Sequence, residues 1–152
     1  MVTVRPPGAL SIDEMLAAAR ARLVRLTPRQ AFVEVSGGGV LIDIRPAVQR
    51  ASEGEIPGSV VVERNHLEWR LDPCSAARLP WVTGYDHRVV MFCWEGYTSS
   101  LAAAALLDLG LHRATDVIGG FRAWREAGLP SAPGGAGTVT LAPGAAPALP
   151  PP

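Results

Sequence analysis

Short apolar runs alternate along the chain with stretches that carry helix signals. The runs, most of them apolar at nearly every position, lie at residues 40–44, 59–62, 89–92 and 115–118. Such runs are typical of strands that are buried on both faces of a sheet. The predicted helices span residues 12–21, 65–70, 99–109 and 121–127. The alternation predicts an α/β fold, a single three-layer domain with a mostly parallel sheet and helices on both faces.

Two capping boxes organise the part of the chain that precedes the first apolar run. Ser11 and Glu14 have the spacing of a capping box, and Thr27 and Gln30 repeat it. In this motif two side chains satisfy backbone N–H groups that a helix start leaves free, so each box predicts a helix start. Between the two helices, residues 23–26 are mostly apolar and predict an edge strand.

Length and charge set the outer limits of the interpretation. A chain of 152 residues suits one domain with a substantial core. Hydrophobic residues make up 48% and the formal net charge is zero, so neither whole-chain disorder nor a basic nucleic-acid surface is indicated. Residues 131–152 carry no charged side chain and are rich in Ala, Pro and Gly, which predicts a disordered tail. We therefore expect an N-terminal extension over residues 1–10 and the domain over residues 11–130.

Cellular context follows from what the sequence lacks. The first ten residues contain no apolar stretch of a secretion signal, and no apolar run approaches the length of a membrane span. We expect a cytoplasmic protein without a membrane or nucleic-acid partner. In a reducing compartment Cys74 and Cys93 are expected as thiols and not as a structural disulfide. The three histidines share no ligand spacing with them, so we expect neither a metal site nor a cofactor.

Cys93 stands at the most informative position in the chain. It ends the apolar run at residues 89–92, and a short loop around Gly96 separates it from a stretch of good helix formers. A cysteine between a buried strand and a helix start faces free backbone N–H groups and the positive end of the helix dipole. Both favour the ionised thiol, which is the nucleophilic form. The sequence therefore predicts an anion-binding loop with a reactive thiol.

Four segments, in this order, carry a family likeness. They read Leu41-Ile-Asp-Ile-Arg45, Gly54-Glu-Ile-Pro-Gly-Ser59, the Cys93 loop, and Gly119-Gly-Phe-Arg-Ala-Trp-Arg-Glu-Ala-Gly-Leu-Pro130. In these features the chain resembles a single-domain rhodanese, the sulfurtransferase fold. The resemblance implies a five-stranded sheet and a cysteine that carries sulfur as a persulfide. It also implies a small-molecule sulfur donor and a thiol or cyanide acceptor, with a protein acceptor as a further option.

The candidate site residues surround Cys93, the predicted catalytic residue. Asp43 and Arg45 end a buried strand and are expected to form a pair that supports the site, because an unpaired buried charge is costly. The predicted substrate-binding residues are Trp94, Glu95, Gly96, Tyr97, Thr98, Ser99 and Arg64. The commonest family loop has arginine at its second and sixth positions, where this chain has Trp94 and Thr98. Thiosulfate, a dianion, is therefore expected to be a poor donor.

Two alternatives on the same fold stay open at this stage. One is a redox-sensing or persulfide-sensing interaction module in which Cys74 resolves modified Cys93. The other is a phosphatase or arsenate reductase, whose members place arginine six residues after the cysteine. Here that residue is Ser99, and Phe92 replaces the histidine expected before the cysteine. Oxyanion hydrolysis is therefore the less favoured alternative.

Overall fold

A parallel sheet forms the centre of the computed structural model, which describes residues 1–134. Its four strands, in chain order, are β1 (Val40–Asp43), β2 (Val60–Val61), β3 (Val89–Phe92) and β4 (Thr115–Asp116). They lie side by side in the order β2-β1-β3-β4, and every pairing is parallel. The predicted α/β architecture is confirmed. Because parallel strands run in one direction, the residues that follow them, Cys93 among them, meet at one edge of the sheet.

Helices cover both faces of this sheet. They are α1 (Ile12–Ala21), α2 (Pro28–Ser36), α3 (Ala47–Glu53), α4 (Leu67–Leu71), α5 (Thr98–Asp108) and α6 (Gly120–Glu126), with a 3₁₀ turn at Arg64–His66. Both predicted capping boxes form: the Glu14 N–H donates to Ser11 Oγ at 3.0 Å, and the Gln30 N–H donates to Thr27 Oγ1 at 3.2 Å. Helix α3 was not predicted from the sequence.

The predicted edge strand at residues 23–26 shrinks to a single bridging residue. Leu26 pairs with Val117 in parallel orientation beyond β4, through an N–H bond to the Asp116 carbonyl and a bond from the Ile118 N–H. The preceding Val24 carbonyl accepts a bond from the Thr115 hydroxyl instead of joining a ladder. Within residues 1–134 the sheet thus has four strands, extended by the Leu26 bridge, where five strands were expected.

Strand side chains alternate between two apolar cores. Val89, Met91 and Cys93 belong to the core that also contains Ala102, Ala103 and Leu106 of α5. Val90 and Phe92 belong to the other core, with residues of α2 and α6 such as Phe32, Phe121 and Trp124. Successive strand residues point to opposite faces, so the register of β3 places Cys93 on the α5 side.

After α6 the chain returns to the domain. Ala132 and Glu55 exchange two backbone hydrogen bonds of 2.8 and 2.9 Å, and the Trp124 ring N–H donates to the Pro130 carbonyl. The tail predicted as disordered begins at residue 131, and its residues 135–152 lie outside the described residues. Among residues 1–134, no helix combines the length and apolar character that crossing a bilayer requires.

Candidate active site

Cys93 directly follows β3 and is a free thiol, 6% exposed. The loop after it runs through Trp94, Glu95, Gly96 and Tyr97 before α5 begins at Thr98. No side chain caps this helix start, because Tyr97 occupies the position before it and makes no capping bond. The N-terminal N–H groups of α5 therefore open toward the cysteine loop without a competing side-chain cap.

Backbone N–H groups of helix α6 bind the carbonyl groups in the first half of the loop. The Phe121 N–H donates to the Cys93 carbonyl at 2.8 Å, and the Arg122 N–H donates to the Trp94 carbonyl at 3.0 Å. This approach requires glycine at position 120, where φ is +60° and a Cβ would lie 2.5 Å from the Cys93 carbonyl oxygen. Gly120 of the family-like segment thus allows α6 to pack against the cysteine loop.

Two arginines hold the second half of the loop. Arg20 Nη2 and Arg25 Nη2 donate to the Gly96 carbonyl at 2.7 and 3.0 Å. Gly96 has φ of +83°, and a Cβ there would lie 2.9 Å from both the Gly119 nitrogen and the Val117 carbonyl oxygen. Glycine is therefore required at this position by conformation and by space.

Anchored carbonyls determine where the loop N–H groups point. In a trans peptide the carbonyl and the following N–H point in opposite directions, and none of the described peptides is cis. The N–H groups of Trp94, Glu95 and Tyr97 therefore point away from the donors that bind the preceding carbonyls. Within residues 1–134, no backbone N–H of residues 94–99 has a hydrogen-bond acceptor. Successive unpaired N–H groups of this kind form an anion-binding nest.

Asp116 is the buried centre of the support behind the loop. Its carboxylate is fully buried and accepts bonds from Arg25 Nε at 2.8 Å and Nη2 at 3.1 Å. The hydroxyls of Ser99 and Ser100 both donate to Asp116 Oδ2 at 2.8 Å. The Ser99 side chain is itself buried, so its hydroxyl hydrogen is engaged in this support.

The outer rim of the loop carries a charge cluster. Glu95 Oε1 accepts a bond of 2.9 Å from Arg122 Nη1, and Arg122 Nε donates to Glu126 at 3.2 Å. These hydrogen bonds raise the pKa of Arg122, and the bond that it donates to Glu95 is the larger cause. The three side chains, together with Tyr97, Gly119 and Ala123, line a cleft of about 270 Å³. Tyr97 and Thr98 are exposed at this rim.

Trp94 packs against the protein behind the loop. Its ring centroid lies 6.0 Å from that of Phe121, and the Arg125 guanidinium lies 5.4 Å from the Trp94 ring centroid. Trp94 is partly buried and belongs to the core on the α6 side. These contacts hold the start of the loop against α6.

Asp43 and Arg45 form the buried pair that the sequence predicts. Arg45 donates from Nε and Nη2 to the two Asp43 oxygens at 2.9 and 2.7 Å, and both side chains are fully buried. The same guanidinium donates to the Gly54 carbonyl and lies 4.8 Å from the Phe121 ring centroid. Burial raises the pKa of Asp43, and Arg45 lowers it in part. The pair connects β1 to the start of α6, whose Phe121 binds the Cys93 carbonyl.

Two further candidates lie apart from these contacts. The Arg64 guanidinium is paired with Glu68 at 2.6 Å, and its backbone N–H donates to the Ile44 carbonyl beyond the end of β1. Cys74 is exposed, and its sulfur lies 3.2 Å from the Tyr85 hydroxyl, a hydrogen bond that raises the pKa of Tyr85. Within residues 1–134, neither residue makes a hydrogen bond or ion pair with the cysteine loop.

Comparison with known proteins identifies the family to which this fold belongs. The Rhodanese-like domain family matches residues 27–127. The chain belongs to the rhodanese-like domain family. It is 34% identical over 102 residues to a protein from Stutzerimonas stutzeri named thiosulfate sulfurtransferase GlpE. The match covers 67% of this chain and 84% of that protein. A GlpE of the same name from Pseudomonas savastanoi pv. phaseolicola is 35% identical over 101 residues, or 66% of this chain and 86% of that protein.

Solved structures agree on the fold and differ in their named activities. A protein of unknown function from Rhodopseudomonas palustris, described as a possible tyrosine phosphatase, is 33% identical with a TM-score of 0.74. The match covers 85% of this chain and 99% of that one. The polysulfide-sulfur transferase homodimer from Wolinella succinogenes is 26% identical with a TM-score of 0.63, over 80% of this chain and 86% of that one.

Sequence reasoning missed the side chains that hold the loop from outside. Arg20, Arg25, Asp116 and Arg122 were not among the candidates. A signal existed for two of them, since Arg25 and Asp116 each interrupt an otherwise apolar stretch. A charge in a buried stretch requires a partner, and the same argument predicted the pair of Asp43 and Arg45.

Proposed function

We propose that this chain is a sulfurtransferase that carries sulfane sulfur as a persulfide on Cys93. The main support is the hydrogen-bond pattern of the cysteine loop. The carbonyls of Cys93, Trp94 and Gly96 are bound from outside the loop, while the N–H groups of residues 94–99 are left without acceptors within residues 1–134. This arrangement suits a negatively charged sulfur or persulfide at the centre of the loop.

The proposed reaction has two displacement steps. The Cys93 thiolate attacks the outer sulfur of a donor, a new S–S bond forms, and the donor's bond to that sulfur breaks. The leaving group departs with the electron pair, as sulfite when the donor is thiosulfate. An acceptor thiolate or cyanide then attacks the outer sulfur of the persulfide, and Cys93 leaves as thiolate. No net oxidation of the protein occurs over the cycle.

The named activities of relatives support this assignment. The two relatives described above, 34% and 35% identical to this chain, are named thiosulfate sulfurtransferase. This chain lacks the loop arginines expected for a thiosulfate dianion and presents Glu95 at the rim, so we propose a sulfane-sulfur donor of lower negative charge. The thiol or cyanide acceptor, the option of a protein acceptor and the cytoplasmic location stay predictions.

Intact-mass spectrometry tests the proposal directly. The wild-type protein is incubated with thiosulfate or a small persulfide, and loading of one sulfur adds about 32 Da. We expect Cys93→Ser to lose both this mass gain and sulfur transfer to cyanide. Cys74→Ser is the matched control and is expected to retain both. Sulfur transfer that survives in Cys93→Ser would refute the proposal.

A phosphatase is the second candidate because of the Rhodopseudomonas palustris structure. Phosphate hydrolysis at a cysteine loop uses an arginine that donates two parallel hydrogen bonds to the phosphate oxygens. In this chain the sixth residue after Cys93 is Ser99, whose hydroxyl is engaged with Asp116. We therefore expect no phenol release from an aryl phosphate. Release that depends on Cys93 would favour the phosphatase.

A further inference from the structure

We propose that Arg20 and Arg25 are positioning residues for sulfur transfer, holding from behind the loop the charge that family members carry within it. This inference rests on the proposed function of Cys93. Both arginines precede residue 27, where the match to the family begins. The cations therefore come from a part of this chain that the family match does not include.

The two guanidinium groups converge on one peptide. Arg20 Nη2 and Arg25 Nη2 donate to the Gly96 carbonyl at 2.7 and 3.0 Å, and Ser100 Oγ approaches it at 3.4 Å. Arg20 also donates from Nε to Ser100 Oγ at 3.1 Å and lies 5.5 Å from the Tyr97 ring centroid. These contacts fix the Gly96–Tyr97 peptide in one orientation.

The orientation has a chemical consequence at the thiol side. The Tyr97 N–H belongs to the same peptide plane and points away from the two arginines. Hydrogen bonds in a chain polarise one another, so two guanidinium donors on the carbonyl strengthen the N–H as a donor. A stronger donor stabilises negative charge on Cys93 or on its persulfide, and it stabilises that charge without a cation in contact with the substrate.

Asp116 holds Arg25 in place beside the loop. It neutralises Arg25 through two bonds and receives the hydroxyls of Ser99 and Ser100. Arg20 has no carboxylate partner within residues 1–134, and its guanidinium donates to the Gly96 carbonyl and to Ser100 Oγ at the start of α5. Within residues 1–134, the charged side chains around the loop are Arg20 of α1, Arg25, Asp116 of β4, Glu95, and Arg122, Arg125 and Glu126 of α6.

Arg20→Met is the test, because it removes the charge without leaving Asp116 unpaired. The readout is the rate of Cys93 alkylation by iodoacetamide as a function of pH, measured in a Cys74→Ser background. We expect Cys93 in Arg20→Met to be alkylated several-fold more slowly than in the wild-type protein near neutral pH, with the difference disappearing at high pH, where the thiol is ionised in both. Arg20→Lys keeps the charge and is expected to recover part of the loss.

Arg22→Met is the matched control. Arg22 follows α1 and pairs with Asp108 of α5, so it joins the same two helices without touching the loop. It is expected to leave the alkylation profile unchanged. An unchanged profile in Arg20→Met, or an equal shift in both variants, would overturn the proposal.

The same measurements separate this inference from the proposed function. Alkylation needs no sulfur donor, so its profile reports on positioning even if the wild-type protein never gains the mass of a sulfur atom. Should Arg20→Met fail to fold, Ser100→Ala removes a smaller part of the same contact and is expected to shift the profile in the same direction. Folding is checked by urea unfolding of each variant.

Discussion

Gly120→Ala perturbs the closest contact between α6 and the cysteine loop. The added Cβ would lie 2.5 Å from the Cys93 carbonyl oxygen and 2.6 Å from that of Trp94. Neither oxygen belongs to a flexible side chain, so the backbone of the loop or of α6 has to move. Movement lengthens the bonds that the Phe121 and Arg122 N–H groups make to these two carbonyls.

The expected loss of stability has two parts. A residue with a side chain costs about 1 to 2 kcal/mol at a left-handed position such as Gly120, where φ is +60°. Insertion of a methyl group into a packed site adds about 1 to 3 kcal/mol. The total of about 2 to 5 kcal/mol is a large fraction of the roughly 5 to 15 kcal/mol that stabilises a typical domain.

Gly128→Ala separates the two parts. Gly128 also has positive φ, +74°, but a Cβ there meets nothing within 4 Å. It therefore reports the conformational cost alone, and sulfur loading of this variant is expected to stay near wild type. The assay is urea unfolding of both variants, followed by the initial rate of sulfur loading. If Gly120→Ala loses no more stability than Gly128→Ala and loads sulfur at the same rate, the α6 contact does not hold the loop.

Two further predictions concern charges. Glu95→Gln releases Arg122 from one carboxylate, so we expect the KM for thiosulfate to fall about two- to fivefold with kcat little changed, the effect that an exposed ion pair permits. Glu126→Gln, which also contacts Arg122 but lies outside the loop, is the control; an equal or absent change in KM would contradict the role of Glu95. Burial raises the pKa of Glu53, with Arg45 lowering it in part. The folded state then holds this proton more tightly than the unfolded state, so the stability from this group is present at low pH and is lost as pH rises through the folded pKa. Glu53→Gln should therefore flatten the fall in unfolding free energy as pH rises above the ordinary glutamate range in urea titrations, and an unchanged slope would refute this.

The strands and most helices were predictable because their signals are local. The apolar run at residues 89–92 coincides with β3, and the capping boxes mark the starts of α1 and α2. Helix α3 was missed because it has no side-chain cap and no buried residue, and so it shows no apolar periodicity. Its contacts with the rest of the domain include polar ones that no local pattern records, such as the bond from the Ala47 N–H to Glu63 and the pair of Arg50 with Glu55.

The candidate site also has a part with local sequence signals and a part without them. Cys93 and its loop are contiguous in sequence and were predicted, whereas the support comes from far along the chain. Arg20 and Gly96 are 76 residues apart, and Arg25 and Asp116 are 91 apart. Pairs at such separations are set by the order of strands in the sheet, and one sequence without its relatives does not contain that information.

The alternation of side chains along β3 limits how this protein can be redesigned. Val89, Met91 and Cys93 share the α5 side, so inserting or deleting one residue within the strand would carry the sulfur to the opposite layer, among Phe32 and Trp124. Changes in the length or charge of the loop leave that placement untouched. Engineering for a new donor is therefore best confined to residues after Cys93, with the strand length kept constant.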